Sequence, residues 1–304
     1  MRRSRIIVLV AALCCTMSLG SVTGQLTQAP ALPTHPGEGP VNMSSLGSSG
    51  WMYQRDSVPD GSGGFYIGGS MNGPLTIGNT TIPSHSQNRA FVAHMRHDGV
   101  WDWAEAASGS DWSEVQALEA GPSGSVYLMM RSRGGFTIQG QDFDDGHQDS
   151  NDFTAIAHFS ASGTLIGKAT IGRMSDTWGD AYPIAIEADG DNVYAMVEGR
   201  STIGVGSVTL ELNNNNDVAI FNISMVDGTA SWAVSATAES LQRTLPNGNT
   251  ESKGSRVEGF SMGLDKSNGQ LIIHGYIESH AKFGAIDVQF PLYSDLKRNF
   301  VASL

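Results

Sequence analysis

The stretch "FVAHMRHDGVWDWAEAASG", residues 91–109, decides how the chain is read, because much the same phrase returns further along. A strand-like run ends at Asp98-Gly99, a pair that favours a tight hairpin turn, and a closing strand restarts around Trp103. Asp227-Gly228 and Trp232 keep the same five-residue offset, and each tryptophan is followed by alanine. A middle copy has Ser162-Gly163 and Gly167 at these places, so the tryptophan is tolerated rather than required.

Working outward, four strand segments each follow a turn: "GGFYIGG", "GSVYLMM", "DNVYAMV" and "GQLIIHG". Behind them come shorter extended units, "PLTIGNTTI", "GFTIQGQDF", "TIGVGSVTLEL" and "AKFGAIDVQF". A polar loop then leads to a third strand beginning near Phe91, Phe153, Val218 or Phe300, at intervals of 62, 65 and 82 residues. The surplus before the last copy is the polar insertion at residues 238–255. No helical apolar period lasts beyond a turn or two, while short strands and glycine turns recur.

About sixty residues of four to five short antiparallel strands, repeated, is the pattern of β-propeller blades. The halves "SDWSEVQALEAGPSGSVYLMM" and "FVAHMRHDGVWDWA" resemble the units of the SBBP-type bacterial and archaeal β-propeller repeat family over about residues 51–304. That resemblance implies an all-β fold of about four blades, with turn glycines rather than catalytic groups as its signature. The fourth copy stops after "NFVASL". A ring would then be closed by the N-terminal arm, with residues near 42–50 beside residues near 299–304, hiding sheet edges. Val115, Ala117, Tyr127, Phe153, Ile156, Ile184, Ile186, Tyr194, Ile220 and Ile272 are expected in the core.

The N-terminus, "MRRSRIIVLVAALCCTMSLGSVTGQ", has a basic start, a short apolar run and then small residues, which reads as a secretory signal peptide over residues 1–24. The apolar run is short for a membrane span. Residues 25–50 are rich in Pro, Gly and Ser and read as a linker or closing arm, leaving 51–304 as the repeat domain. Both cysteines, Cys14 and Cys15, lie in the leader, so the remainder has no disulfide available. The net charge of −12 becomes −15 once Arg2, Arg3 and Arg5 are removed. Such a surface repels phosphate backbones and anionic lipid, which argues against nucleic-acid and membrane-surface partners.

Few candidates for chemistry emerge. The loop "DFDDGHQDSND" gathers Asp142, Asp144, Asp145, Asp149, Asn151 and Asp152, oxygen donors of the kind calcium takes, although not at EF-hand spacing; a solvated hairpin tip has the same composition. "NNNND", residues 213–217, sits in the corresponding loop of the next copy. His94 and His97 fall within a strand and at its exit, three residues apart, and strand alternation would send them to opposite faces. Asn42, Asn79 and Asn222 head glycosylation triplets, the last in mid-strand. No nucleophile elbow, zinc helix or phosphate loop appears. The expectation is a secreted or cell-surface module that binds protein or glycan through its loops. A polysaccharide-active enzyme or a structural extracellular-layer protein is the alternative.

Overall fold

The computed structural model describes residues 7–9 and 52–304, apart from 78–79, 110–111, 147–150, 175–179, 214–216, 239–240, 245–246, 254–255, 279, 284–285 and 290–297. The described residues contain no α-helix, only one three-residue 3-10 turn, Pro122–Gly124, among strands. The fold is all-β.

Four antiparallel sheets follow one another along the chain. The first runs Met52–Pro59, Phe65–Met71, Arg89–Met95 and Trp101–Ala106 in spatial as well as chain order. The second repeats this with Ser113–Ala120, Val126–Arg133, Asp152–Phe159 and Leu165–Arg173. The third uses Ala181–Asp189, Asn192–Gly199, Asp217–Ser224 and Thr229–Ala238. In the fourth, Arg256–Asp265 and Gln270–Glu278 are followed by Arg298–Ser303.

The repeat is anchored by a cross-strand set. Tyr66 faces His94, Tyr127 faces His158, Tyr194 faces Asn222 and Ile272 faces Ser303. The closing strands add Trp103 opposite His94, Gly167 opposite His158 and Trp232 opposite Asn222. The short extended units are hairpins that clasp the previous copy. Phe136–Ile138 pairs with Ser108–Gly109, Thr202–Val205 with Leu165–Arg173, and His280–Phe283 with Thr229–Ala238. The 238–255 insertion contains a further hairpin, Leu241–Thr244 against Thr250–Lys253.

Sheet stacking makes the core. The first strand of each later sheet lies against its predecessor, and alternation sends one face of every strand into each junction. Val115, Leu118 and Leu128 meet Tyr66 and Val92 at the first junction. Tyr127 and Ile156 meet Ile186 and Phe221 at the second, and Met196 and Ile220 meet Val257 and Ile273 at the third. Of the expected core, Val115, Tyr127, Phe153, Ile156, Ile186 and Ile220 are buried, while Ala117, Ile184 and Tyr194 are partly buried. Ile272 is 43% exposed, because it lies on the outer face of the fourth sheet, which no described strand covers.

The four-bladed ring is corrected here. Among the described residues the sheets are separate and open, and no strand of the first pairs with the fourth. Residues 42–50 lie outside the described residues. The free edge of Arg298–Ser303 pairs instead with Ile7–Leu9, in the register Ile7↔Ser303, Val8↔Ala302 and Leu9↔Val301, a segment that the sequence assigns to the leader. Among the described residues no helix is long and apolar enough to cross a membrane.

Candidate ligand site between the first and second sheets

A cleft of about 650 Å³ opens where the turns of the first sheet meet those of the second, lined by Asp60, Tyr66, His94, His97, Asp102 and Ser123 among others. Its floor is built by the turn after Met52–Pro59. Asp60 Oδ1 accepts the Ser62 and Gly64 backbone N–H groups at 2.7 and 2.9 Å, and Oδ2 accepts the Ser62 hydroxyl at 2.7 Å. Gly64 has to be glycine, since a Cβ there would lie 2.4 Å from the Met95 carbonyl oxygen.

Asp60 Oδ2 also meets His94 Nε2 at 3.0 Å. Burial pushes the Asp60 carboxyl up, but the hydrogen bonds from His94, Ser62 and Gly64 outweigh it and hold it at about 2. An ionised acceptor here places the ring proton on Nε2. Nδ1 is then left buried without a hydrogen-bond partner, 3.5 Å from Asp102 Oδ2. Tyr66 stacks on the imidazole at 4.5 Å and donates its hydroxyl to the Gly124 carbonyl across the junction. Burial, with Asp60 and Asp102 nearby, pushes the Tyr66 hydroxyl up to about 12, so it remains a donor. Ser123, at φ 55°, stands in the left-handed region on the opposite wall.

The second sheet shows what the scaffold alone requires. His158 stacks on Tyr127 at 4.0 Å, Tyr127 donates to Gly190 O at 2.7 Å, and His158 Nε2 meets Ser125 Oγ at 2.9 Å. Burial pushes His158 down to about 4, and it is a neutral packing residue. By the strand register, Gly121 stands where the first copy has Asp60, and the exposed Ile166 where it has Asp102. The stacked Tyr–His pair is common to both copies. Asp102 belongs to the first copy, with Ile166 and Ser231 at its place in the second and third. The Asp60 position is aspartate again in the third and fourth sheets, as Asp189 and Asp265, and Asp265 holds Ser267 as Asp60 holds Ser62.

The sequence expectations fall into place around this. His94 and His97 line one cleft, contrary to strict alternation, because the strand ends at Met95 and His97 lies in the turn beyond it. The acidic loop is dispersed. Asp152 is 3% exposed and pairs with Arg131 and Arg133 at 2.5 and 3.2 Å. Asp144 caps the Gly146 N–H at 2.8 Å, Asp142 is exposed, Asp145 abuts Gly172, and Asn151 is buried. Asp149 lies outside the described residues. Among the described residues no group of three or more His, Asp or Glu side chains is placed to hold a metal ion. Of the asparagine run, Asn213 is described; its N–H and that of Ala238 are held by the buried Asp217 carboxylate at 2.6 and 2.7 Å. Asn222 is buried and accepts from Ser231, whereas Asn42 and Asn79 lie outside the described residues.

Another acid stands apart from the cleft. Burial, with Glu187 and Asp56 nearby, raises Glu119 to about 7, against the opposing pull of Lys266 at 3.8 Å. The folded chain therefore holds this proton up to about pH 7, while the unfolded chain releases it near 4.5. More protons are bound when folded, so stability falls as pH rises across that window. Glu119→Gln is expected to remove on the order of 1–2 kcal/mol of this fall after solvent screening. Urea unfolding of both proteins at pH 5 and pH 8 checks it, and equal pH dependence would refute the assignment.

No family model matches the chain, and no curated protein matches it. The resemblance to the SBBP propeller repeat is thereby corrected. Turn glycines and strand residues made the likeness, and any stack of short antiparallel sheets demands them.

Proposed function

We propose that this chain is a secreted or cell-surface binding module that takes a neutral, hydroxyl-rich ligand, a glycan, in the cleft between the first and second sheets. The carrying observation is the Asp102 carboxylate, 40% exposed in a cleft that Asp60, His94 and His97 also line. A half-exposed carboxylate facing a cleft suits a hydroxyl donor of the ligand. That Asp102 is peculiar to one copy, with Ile166 and Ser231 at its place in the next two, supports a role beyond packing. The acidic net charge disfavours anionic ligands. Ser62 gives its hydroxyl to Asp60 rather than to His94, which favours binding over nucleophilic catalysis.

Titration calorimetry of the purified chain against hits from a neutral-glycan array tests this. Asp102→Asn is expected to weaken binding about tenfold or more, the size of one lost charge-assisted hydrogen bond, without lowering the melting temperature. Unchanged affinity, or an array without hits, would refute the reading.

A second reading, polysaccharide cleavage, draws on Glu119, since a carboxyl near 7 beside another glutamate suits general acid–base work. Release of reducing ends, abolished in Glu119→Gln, would favour it over simple binding.

A further inference from the structure

The fourth sheet takes its outermost strand from the other end of the chain. Its spatial order is Ile7–Leu9, Arg298–Ser303, Gln270–Glu278 and Arg256–Asp265. In the other three sheets the place beside the third strand belongs to a closing strand, Trp101–Ala106, Leu165–Arg173 or Thr229–Ala238. The register agrees as well as the order. His94, His158, Asn222 and Ser303 are the third-strand residues that face Tyr66, Tyr127, Tyr194 and Ile272. On their other side stand Trp103, Gly167, Trp232 and, in the fourth sheet, Ile7. Ile7–Leu9 therefore fills the closing position at the same level, and in the same antiparallel sense, as its three counterparts.

The ladder shows which groups hold it. Leu304 exchanges both backbone hydrogen bonds with Leu271, at 2.9 and 3.2 Å. Antiparallel alternation then turns the Ala302 and Phe300 N–H groups towards Gln270–Glu278, and those of Ser303, Val301 and Asn299 outwards. Ser303 and Val301 are the residues opposite Ile7 and Leu9. Two outward N–H groups thus meet the N-terminal strand, and without it they belong to an unpaired sheet edge. The run "IIVLV", residues 6–10, suits this place, because the β-branched residues that make a leader apolar also favour a strand. Charge favours it too: Arg2, Arg3 and Arg5 belong to the N-terminal segment, and without them the formal charge of −12 becomes −15.

We propose that the outer edge of Arg298–Ser303 is a strand-accepting site whose occupant is the chain's own Ile7–Leu9. Cleavage ahead of residue 25, which the leader pattern calls for, would empty the closing position of the fourth sheet. The freed edge takes back an extended apolar segment by adding it as a strand, with main-chain hydrogen bonds supplying the affinity. N-terminal processing is then the step that turns a finished sheet into an open one.

Amide hydrogen exchange, read by NMR on the full chain kept from export so that residues 1–24 stay attached, tests this. The Val301 and Ser303 amides are expected to exchange slowly. Leu9→Pro removes the N–H that faces Val301 and should speed both about tenfold or more, the equivalent of one net hydrogen bond. Val8→Pro, whose lost N–H points away from the sheet, should leave them slow. Ala302, bonded to the neighbouring strand, should stay slow in both variants. A synthetic peptide of residues 4–12 should restore slow exchange at Val301 and Ser303 in the Leu9→Pro chain. Fast exchange of these two amides in the unaltered chain would overturn the proposal. So would equal effects of the two prolines, a peptide that restores nothing, or loss of Ala302 protection along with the others, which would make the strand part of the sheet's core and not an occupant of its edge.

Discussion

Replacing Asp152 by alanine is expected to destabilise the fold by about 3–5 kcal/mol, the range for removing one partner of a buried ion pair. Asp152 opens the strand Asp152–Phe159 and is only 3% exposed. One oxygen takes Arg131 at 2.5 Å and the other takes Arg133 at 3.2 Å. The arginines respond differently to its loss. Arg133 has a half-exposed side chain and can turn to water. Arg131 is held over the rings of Tyr182 and Trp112, 4.5 and 5.1 Å from their centroids, and its Nε is buried without a partner. Its charge would stay where it is, uncompensated, and that is the larger part of the cost. Asp152→Asn keeps the shape and one acceptor and should lose roughly half as much. Urea midpoints of the three proteins measure it. A loss under about 1 kcal/mol for alanine would mean that solvent screens the pair as it does at a surface.

Local periodicity was readable in the sequence wherever it reports on local geometry. The hairpin turns at Asp98-Gly99 and Asp227-Gly228, the clasping hairpins and the strand alternation around Tyr127 and Ile156 follow from turn chemistry and side-chain period, which act over a few residues. Closure of the stack is a different matter, because it depends on how much each sheet rotates on the next. Ile272 shows the consequence: it has the residue type of a core position, yet its exposure is set by whether another sheet follows. The candidate site was missed for a similar reason. Asp60 and His94 are 34 residues apart, and a single strand's alternation said nothing of a turn carboxylate from its neighbour. The signal was nevertheless present in the repeats. Aligned on Tyr66 and Tyr127, they place Asp60 against Gly121, and aligned on His94 and His158 they place Asp102 against Ile166. Of the two, Asp102 is the departure from the repeat, since Asp189 and Asp265 stand where Asp60 does in the third and fourth copies.

Trp103 and Trp232 occupy equivalent positions but should differ in what they contribute. Trp103→Ala is expected to cost about 3–4 kcal/mol, typical of an aromatic ring removed from a packed junction. Its indole stacks on Phe159 at 5.7 Å, lies 5.8 Å from Tyr66 and donates Nε1–H to the Ala161 carbonyl at 2.9 Å. The ring thus fastens the first sheet to the Ser160–Gly163 turn of the second. Gly163, at φ +81°, sits directly beneath it, and a Cβ there would approach the indole to 2.6 Å. Trp232 has no such turn over it among the described residues; it is 37% exposed and meets Tyr194 at 6.0 Å. Its loss should cost only about 1–2 kcal/mol, in proportion to the smaller apolar area buried. A double-mutant cycle separates packing from backbone strain. Gly163→Ala should destabilise the parent both by forcing a left-handed residue and by striking the indole, whereas in the Trp103→Ala background only the backbone part, about 1–2 kcal/mol, should remain. Thermal or urea unfolding of the four proteins gives the coupling. If the two changes simply add, the indole does not rest on Gly163, and the first junction is held by Tyr66 and the strand cores alone.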